Sequence, residues 1–160
     1  MSPSPFIDKV WPVIRNIIFD WSGTLVDDLP AVWQATNHVM QKAGVEPFTL
    51  DRFRLEFQLP FMGFYDKHLP QVPADQLEKW FHDFYRTVRD QISLLPHARD
   101  FLDFCRDQGL RIFILSTVSH EHFDIQARNV GLEGFFDHEY LGVRDKRKRI
   151  ASILDEQSME

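Results

Sequence analysis

Cysteine is nearly missing from this 160-residue chain. Cys105 is the only one, so no intrachain disulfide can form. A lone thiol fits a reducing compartment, and its place on an apolar helical pattern marks it as a small buried hydrophobe rather than a nucleophile. Long apolar runs are missing too. No stretch approaches the roughly 20 residues that a membrane-spanning helix needs. Residues 1–15 lack the basic start and long apolar centre of a secretory signal. Positive charge is in deficit, with 18 Lys and Arg against 24 Asp and Glu and a net charge of −6. A general nucleic-acid binder needs a basic face for the phosphate backbone, so that class is excluded. There is no internal repeat and no low-complexity tract. These absences predict a cytoplasmic protein with neither nucleic acid nor membrane as partner, and they leave a homo-oligomer open.

Aromatic residues, by contrast, are plentiful. Fifteen Phe and four Trp sit in a chain that is 44% hydrophobic and 26% charged, enough for one domain with a real core or a small core carrying an insertion. Residues 1–15, with Pro3, Pro5 and Pro12, read as an irregular lead-in. Apolar runs predict strands over 16–20 and 110–115, and Phe135 to Leu141 suggests a short third strand. Helical periodicity predicts helices over 29–43, 49–57, 77–88, 97–108, from Phe123 to Val130, and over 147–156. The stripe Leu77, Trp80, Phe81, Phe84, Tyr85 and Val88 is one face of an amphipathic helix. Pro60, Gly63 and Pro70 read as breakers of the segment up to Pro73. Strands alternating with helices predict an α/β fold with a parallel sheet. The stretch between the first strand and Pro96 is too long for a loop and holds its own helices, so it reads as a helical subdomain.

The chemistry gathers at strand ends. Ile17-Ile18-Phe19 leads into Asp20-Trp21-Ser22-Gly23-Thr24-Leu25, which places a carboxylate at the carboxyl end of a strand, where open α/β sheets bind ligands. Gly23 permits a tight turn beside a bound group, and the Thr24 hydroxyl can hydrogen-bond an anion. Ser116 ends the second strand, with Thr117 adjoining it, and Lys146 follows the third. A carboxylate, a hydroxyl and an ammonium at one sheet edge suit a phosphoryl group: two neutralise and orient its oxygens while the third attacks.

These residues resemble the haloacid dehalogenase-like (HAD) hydrolase superfamily, closest to its phosphoglycolate phosphatase-like branch. Asp20 to Leu25 is similar to the first motif, Asp-x-Asp-Gly-Thr. Ile112-Phe113-Ile114-Leu115-Ser116 resembles the second, and Lys146 fits the third-motif lysine. The resemblance covers residues 16–150. It implies a Rossmann-like parallel sheet core over 1–27 and 95–160, with a helical cap over 28–94 inserted after the first strand. It implies a Mg²⁺-dependent phosphatase of small phosphorylated metabolites working through an aspartyl-phosphate. Asp20 would be nucleophile and metal ligand, and the Ser22 carbonyl a second metal ligand. Ser116 and Lys146 would hold the phosphoryl oxygens, while Gly23, Thr24 and Thr117 would contact substrate.

The chain departs from the family pattern twice. Ser22 stands where the phosphatases have a second Asp that moves protons, and a serine hydroxyl has no suitable pKa for that work. The acidic fourth motif, Gly-Asp-x-x-x-Asp, is not found before Glu160, which leaves the core incomplete at the C-terminus and the first strand at an unpaired edge. Asp155-Glu156 reads as helix surface. With one carboxylate, one carbonyl and Asp27 or Asp28 nearby, weak Mg²⁺ binding is expected. The alternatives are a truncated or catalytically inactive HAD-like binding domain, and a phosphonoacetaldehyde hydrolase-like C–P bond hydrolase. The latter would need a cap lysine as Schiff base, and among Lys42, Lys67 and Lys79 the best placed is Lys67.

Other candidates carry less. His120 and His122 are spaced wrongly to share a helix face, so they read as a polar helix start. The basic run from Arg144 to Arg149 reads as a solvated face around one functional lysine, with Lys148 as the alternative third-motif residue. Phe57, Phe61, Met62 and Phe64 read first as core packing, then as an apolar substrate lid or dimer contact.

Overall fold

The computed structural model describes residues 14–58 and 61–158. Most of the predicted lead-in, with Pro3, Pro5 and Pro12, and the breaker Pro60 lie outside the described residues.

Three strands form the parallel sheet: β1 (Asn16–Phe19), β4 (Arg111–Leu115) and β5 (His138–Tyr140), in the order β1-β4-β5. Phe19 pairs with Ile114, and Leu115 with Tyr140. All three strands therefore run out at the same edge, and Asp20 stands level with Leu115. On its other side β1 has no strand partner among the described residues.

Between β1 and β4 the chain makes a long excursion. It departs through β2 (Val26–Asp27) and returns through β3 (Ser93–Leu94), and these two pair antiparallel as a stem. Neither was visible in the sequence, since two residues are too few to show a period. Beyond the stem lie α1 (Leu29–Lys42), α2 (Leu50–Glu56), α3 (Met62–His68) and α4 (Ala74–Val88). The helix α3 corrects the reading of that segment as broken. Phe64 and Tyr65 bury themselves against Phe48 and Phe53, and the packing outweighs the weak propensity of Gly63. Burying one such aromatic contributes about 1.5–3 kcal/mol.

The helices α1 to α4 enclose their own apolar cluster around Val39, Met40, Phe53 and Leu77, and Ala31 and Ala35 of α1 meet Tyr85 and Val88 of α4. Phe57 and Met62 pack against that cluster, whereas Phe61 stays 39% exposed. A separate cluster fills the side of the sheet toward α5 (Ala98–Asp107) and α6 (His120–Asn129). Cys105 is buried in it. The last helix, α7 (Lys146–Glu156), covers the opposite face, where Ile153 meets Phe113, Leu115 and Tyr140. Local chemistry starts these helices: the side chains of Thr49, Ser119 and Asp145 accept backbone N–H groups at the N-termini of α2, α6 and α7.

Candidate active site

The loop after β1 winds around one carbonyl. The oxygen of Trp21 accepts the N–H groups of Thr24, Leu25 and Val26 at 3.2, 2.9 and 3.2 Å, and Gly23 N–H reaches Val26 O at 2.9 Å. Gly23 supplies the positive φ of 69° that this turn needs. The turn aims the Asp20 carboxylate out of the sheet edge. Its Oδ1 accepts the Trp21 N–H at 2.7 Å, and its Oδ2 is paired with Lys146 Nζ at 2.5 Å. Both side chains remain about one-third exposed, at 38% and 32%.

Lys146 reaches Asp20 because Asp145 caps α7 and sets the first turn of that helix against the sheet. Lys148 turns outward instead, 88% exposed and paired with Asp145. Helix phase therefore brings Lys146, and not Lys148, to Asp20. Asp20 and Lys146 line an open cleft of about 190 Å³ together with Ile18, Phe19, Leu115 and Ile150. A larger hollow of about 310 Å³, lined by Asp124, Arg128, Glu133 and Glu139, suits a phosphate poorly: three carboxylates face one cation, and Arg128 is already paired with Glu133.

Ser116 lies one residue past Leu115 and is buried. Its Oγ accepts the Val118 N–H at 3.3 Å, and its backbone is clamped between Tyr140 O and Val143 N at 2.9 Å each. The structure thus joins Asp20 to Lys146 directly and sets Ser116 at the neighbouring strand end. Gly23, Thr24 and Thr117 are exposed, and Ser22 is half-buried.

Three residues take places here that the sequence reading did not give them. Asp28 is 8% exposed, makes no side-chain bond to its own helix, and faces the Ser22 hydroxyl. Burial pushes its carboxyl above the usual carboxylate range; the hydroxyl of Ser22 offsets part of this, while the charges of Asp27 and Asp20 add to it. Gln126 and Tyr85 are buried behind Trp21 and joined to each other. Gln126 carried a faint signal, a polar residue among the apolar positions Phe123, Ala127 and Val130 of one helix.

His120 and His122 do open α6, with His120 exposed, but His122 departs from the reading of that start as polar surface. It is 6% exposed, beside Arg89 at 3.3 Å and His82 at 3.5 Å. Burial, reinforced by the Arg89 charge, lowers its pKa from 6.5 to about 4. Arg89 in turn pairs with Glu121 at 2.6 Å. Lys67 lies far out on the surface side of α3, 65% exposed and paired with Glu56 at 3.0 Å. An amine so engaged lends no support to a Schiff-base role.

Among the described residues, no group of three or more His, Cys, Asp or Glu is placed to hold a metal ion, and no helix is long and apolar enough to cross a membrane.

A family model described as haloacid dehalogenase-like hydrolase matches residues 17–158. A phosphoglycolate phosphatase from Rhodobacter capsulatus is 26% identical over 132 residues, covering 75% of this chain; the chain spans 58% of that relative's length. Among solved structures, a haloacid dehalogenase-like hydrolase from Streptococcus pneumoniae superposes with a TM-score of 0.76 at 21% identity, covering 91% of this chain and 71% of the other. CbbY from Rhodobacter sphaeroides, solved in complex with phosphate, gives 0.70 at 19% identity, covering 91% and 73%.

Proposed function

Because the chain belongs to the haloacid dehalogenase-like hydrolase family, we propose that it hydrolyses a phosphoric monoester of a small metabolite, with Asp20 as the attacking group. One observation carries this reading: the 2.5 Å pair of Asp20 and Lys146 at the mouth of an open cleft where the parallel strands end. The phosphate bound by the CbbY neighbour and the phosphatase named among the relatives support it.

In this reading the Trp21 N–H holds one Asp20 oxygen, which fixes the carboxylate's direction. Lys146 already neutralises the other, so an entering phosphoryl group shares that cation and its charge is offset as it builds. Ser116 Oγ accepts from Val118, which leaves its own proton free to donate to a phosphoryl oxygen. An Asp20 oxygen attacks phosphorus, an aspartyl-phosphate forms, and the ester P–O bond breaks. The leaving oxygen takes up a proton, and water then cleaves the acyl phosphate. Ser22 cannot carry that proton. Asp28, beside it and favoured by burial to hold one, is the group on this chain suited to the task.

Mg²⁺ finds two donors on this chain, the Asp20 carboxylate and the Ser22 carbonyl. Among the described residues these do not reach the hard-oxygen set the ion demands, so no step is routed through it. Residues 28–94 act as the cap over the cleft, on a core of 1–27 and 95–160, and a cytoplasmic setting goes with this reading. A second reading, a HAD-like binding domain without turnover, is favoured by Ser22. Phosphate release from p-nitrophenyl phosphate separates the two. Turnover by the unaltered chain that disappears in Asp20→Asn supports hydrolysis, and an undiminished rate in that variant refutes the role of Asp20.

A further inference from the structure

Gln126 is fully buried on α6, and a buried amide needs partners at both ends. Its Oε1 accepts the Trp21 indole N–H at 2.8 Å, and its Nε2 donates to the Tyr85 hydroxyl at 2.8 Å. The indole can only donate, so the direction of the amide is settled by Trp21 and the Tyr85 oxygen must accept. All three side chains are nearly or wholly excluded from solvent.

The three belong to different parts of the molecule. Trp21 is the residue after Asp20, and its backbone N–H grips the Asp20 carboxylate. Its ring is wedged against Phe123 at 4.7 Å and Phe136 at 6.2 Å between centroids. Gln126 belongs to the core helix that follows Ser116. Tyr85 sits on α4 of the cap, locked to α1 through Ala31 and Ala35. A leucine at position 126 would fill similar space beside Phe123 and Ala127. A buried polar relay is instead directional, and fully satisfied it singles out one arrangement of its parts.

We propose that Gln126 is a positioning residue: its two amide ends register Trp21, and through it the Asp20 carboxylate, against cap helix α4. The proposal rests on Asp20 being the reacting carboxylate. A shift of α4 along α6 pulls first on the amide and then on the indole. The nucleophile thus takes its productive direction when Tyr85 is docked.

The test uses the full chain with Tyr85→Phe and Gln126→Leu, and as a control Asn129→Ala, which removes only a bond from α6 to the Asp90 carbonyl past the end of α4. Trp21 indole and backbone N–H resonances are followed by ¹⁵N NMR, and kcat and KM are measured with p-nitrophenyl phosphate. Tyr85→Phe, the milder change, is expected to move both Trp21 resonances although Tyr85 touches neither group. Gln126→Leu is expected to move them further and to lower kcat by about 100-fold with KM nearly constant, the signature of a misdirected reacting group. The control should leave resonances and rates as they were. Trp21 resonances unmoved in Tyr85→Phe overturn the proposal, as does an unchanged kcat once they have moved. If the unaltered protein does not turn the ester over, the catalytic reading fails, and the Trp21 backbone resonance still decides whether Gln126 couples Tyr85 to the Asp20 loop.

Discussion

Acid should loosen the molecule at His122, and the size of the effect follows from its surroundings. The imidazole is buried on α6, edge-on to the Tyr85 ring at 4.9 Å, with Arg86 and His82 of α4 and Arg89 just past its end facing it and Glu121 the one opposing charge. Burial first, and Arg89 second, disfavour the charged ring and hold its pKa at about 4 against an ordinary 6.5. Between those two pH values the unfolded chain carries a proton that the folded chain lacks. Stability therefore falls as the pH falls through that window, and it is unaffected by this group above pH 6.5. At about 1.4 kcal/mol per pH unit, the whole interval amounts to about 3 kcal/mol. Most of it is lost by pH 4.5, a change of about 1 M in a urea midpoint for a domain of this size. Carboxylates elsewhere titrate in the same range, so the informative quantity is a difference. His122→Gln cannot take up the proton. Urea unfolding of both proteins at pH 7.5 and pH 4.5 should show the wild-type chain losing about 2–3 kcal/mol more than the variant. Equal losses would refute the argument that the ring is held neutral in the fold.

Asp28→Asn should slow phosphate release by about 10² to 10⁴-fold if Asp28 moves the proton that Ser22 cannot. The same variant should melt at a higher temperature at pH 7, because a carboxyl whose folded pKa is raised costs stability once ionised. The advantage should vanish as the pH drops below the ordinary carboxylate range; a lower melting temperature at neutral pH contradicts the reading of its burial. Lys146→Met should reduce turnover by about 10² to 10³-fold while changing stability by about 1 kcal/mol or less, since the pair it breaks is part-exposed. Urea titration and the p-nitrophenyl phosphate assay measure the two sides. Mg²⁺ should bind this chain with a Kd weaker than about 1 mM by titration calorimetry; tight binding would refute the two-donor account of this site.

The sequence alone determined the parallel sheet, the place of Asp20 at its edge and the family the chain belongs to. Asp20 and Ser116 each follow a short apolar run, Ile17-Ile18-Phe19 and Ile112 to Leu115, so their common edge was legible as soon as those strands were read as parallel. The main helices were legible because their apolar stripes are long. Two-residue β2 and β3 had no room for a period, and α3 lay hidden behind Gly63 until Phe64 and Tyr65 found Phe48 and Phe53 to pack against. Only the tertiary structure decided which lysine meets Asp20, since Lys146 and Lys148 differ by helix phase against the sheet. It alone buried Asp28, His122 and Gln126. Apart from the faint helical signal at Gln126, nothing local marks these three as interior, because a polar side chain leaves water only when distant segments close over it, and here that closure is the meeting of α4, α6 and the loop after β1.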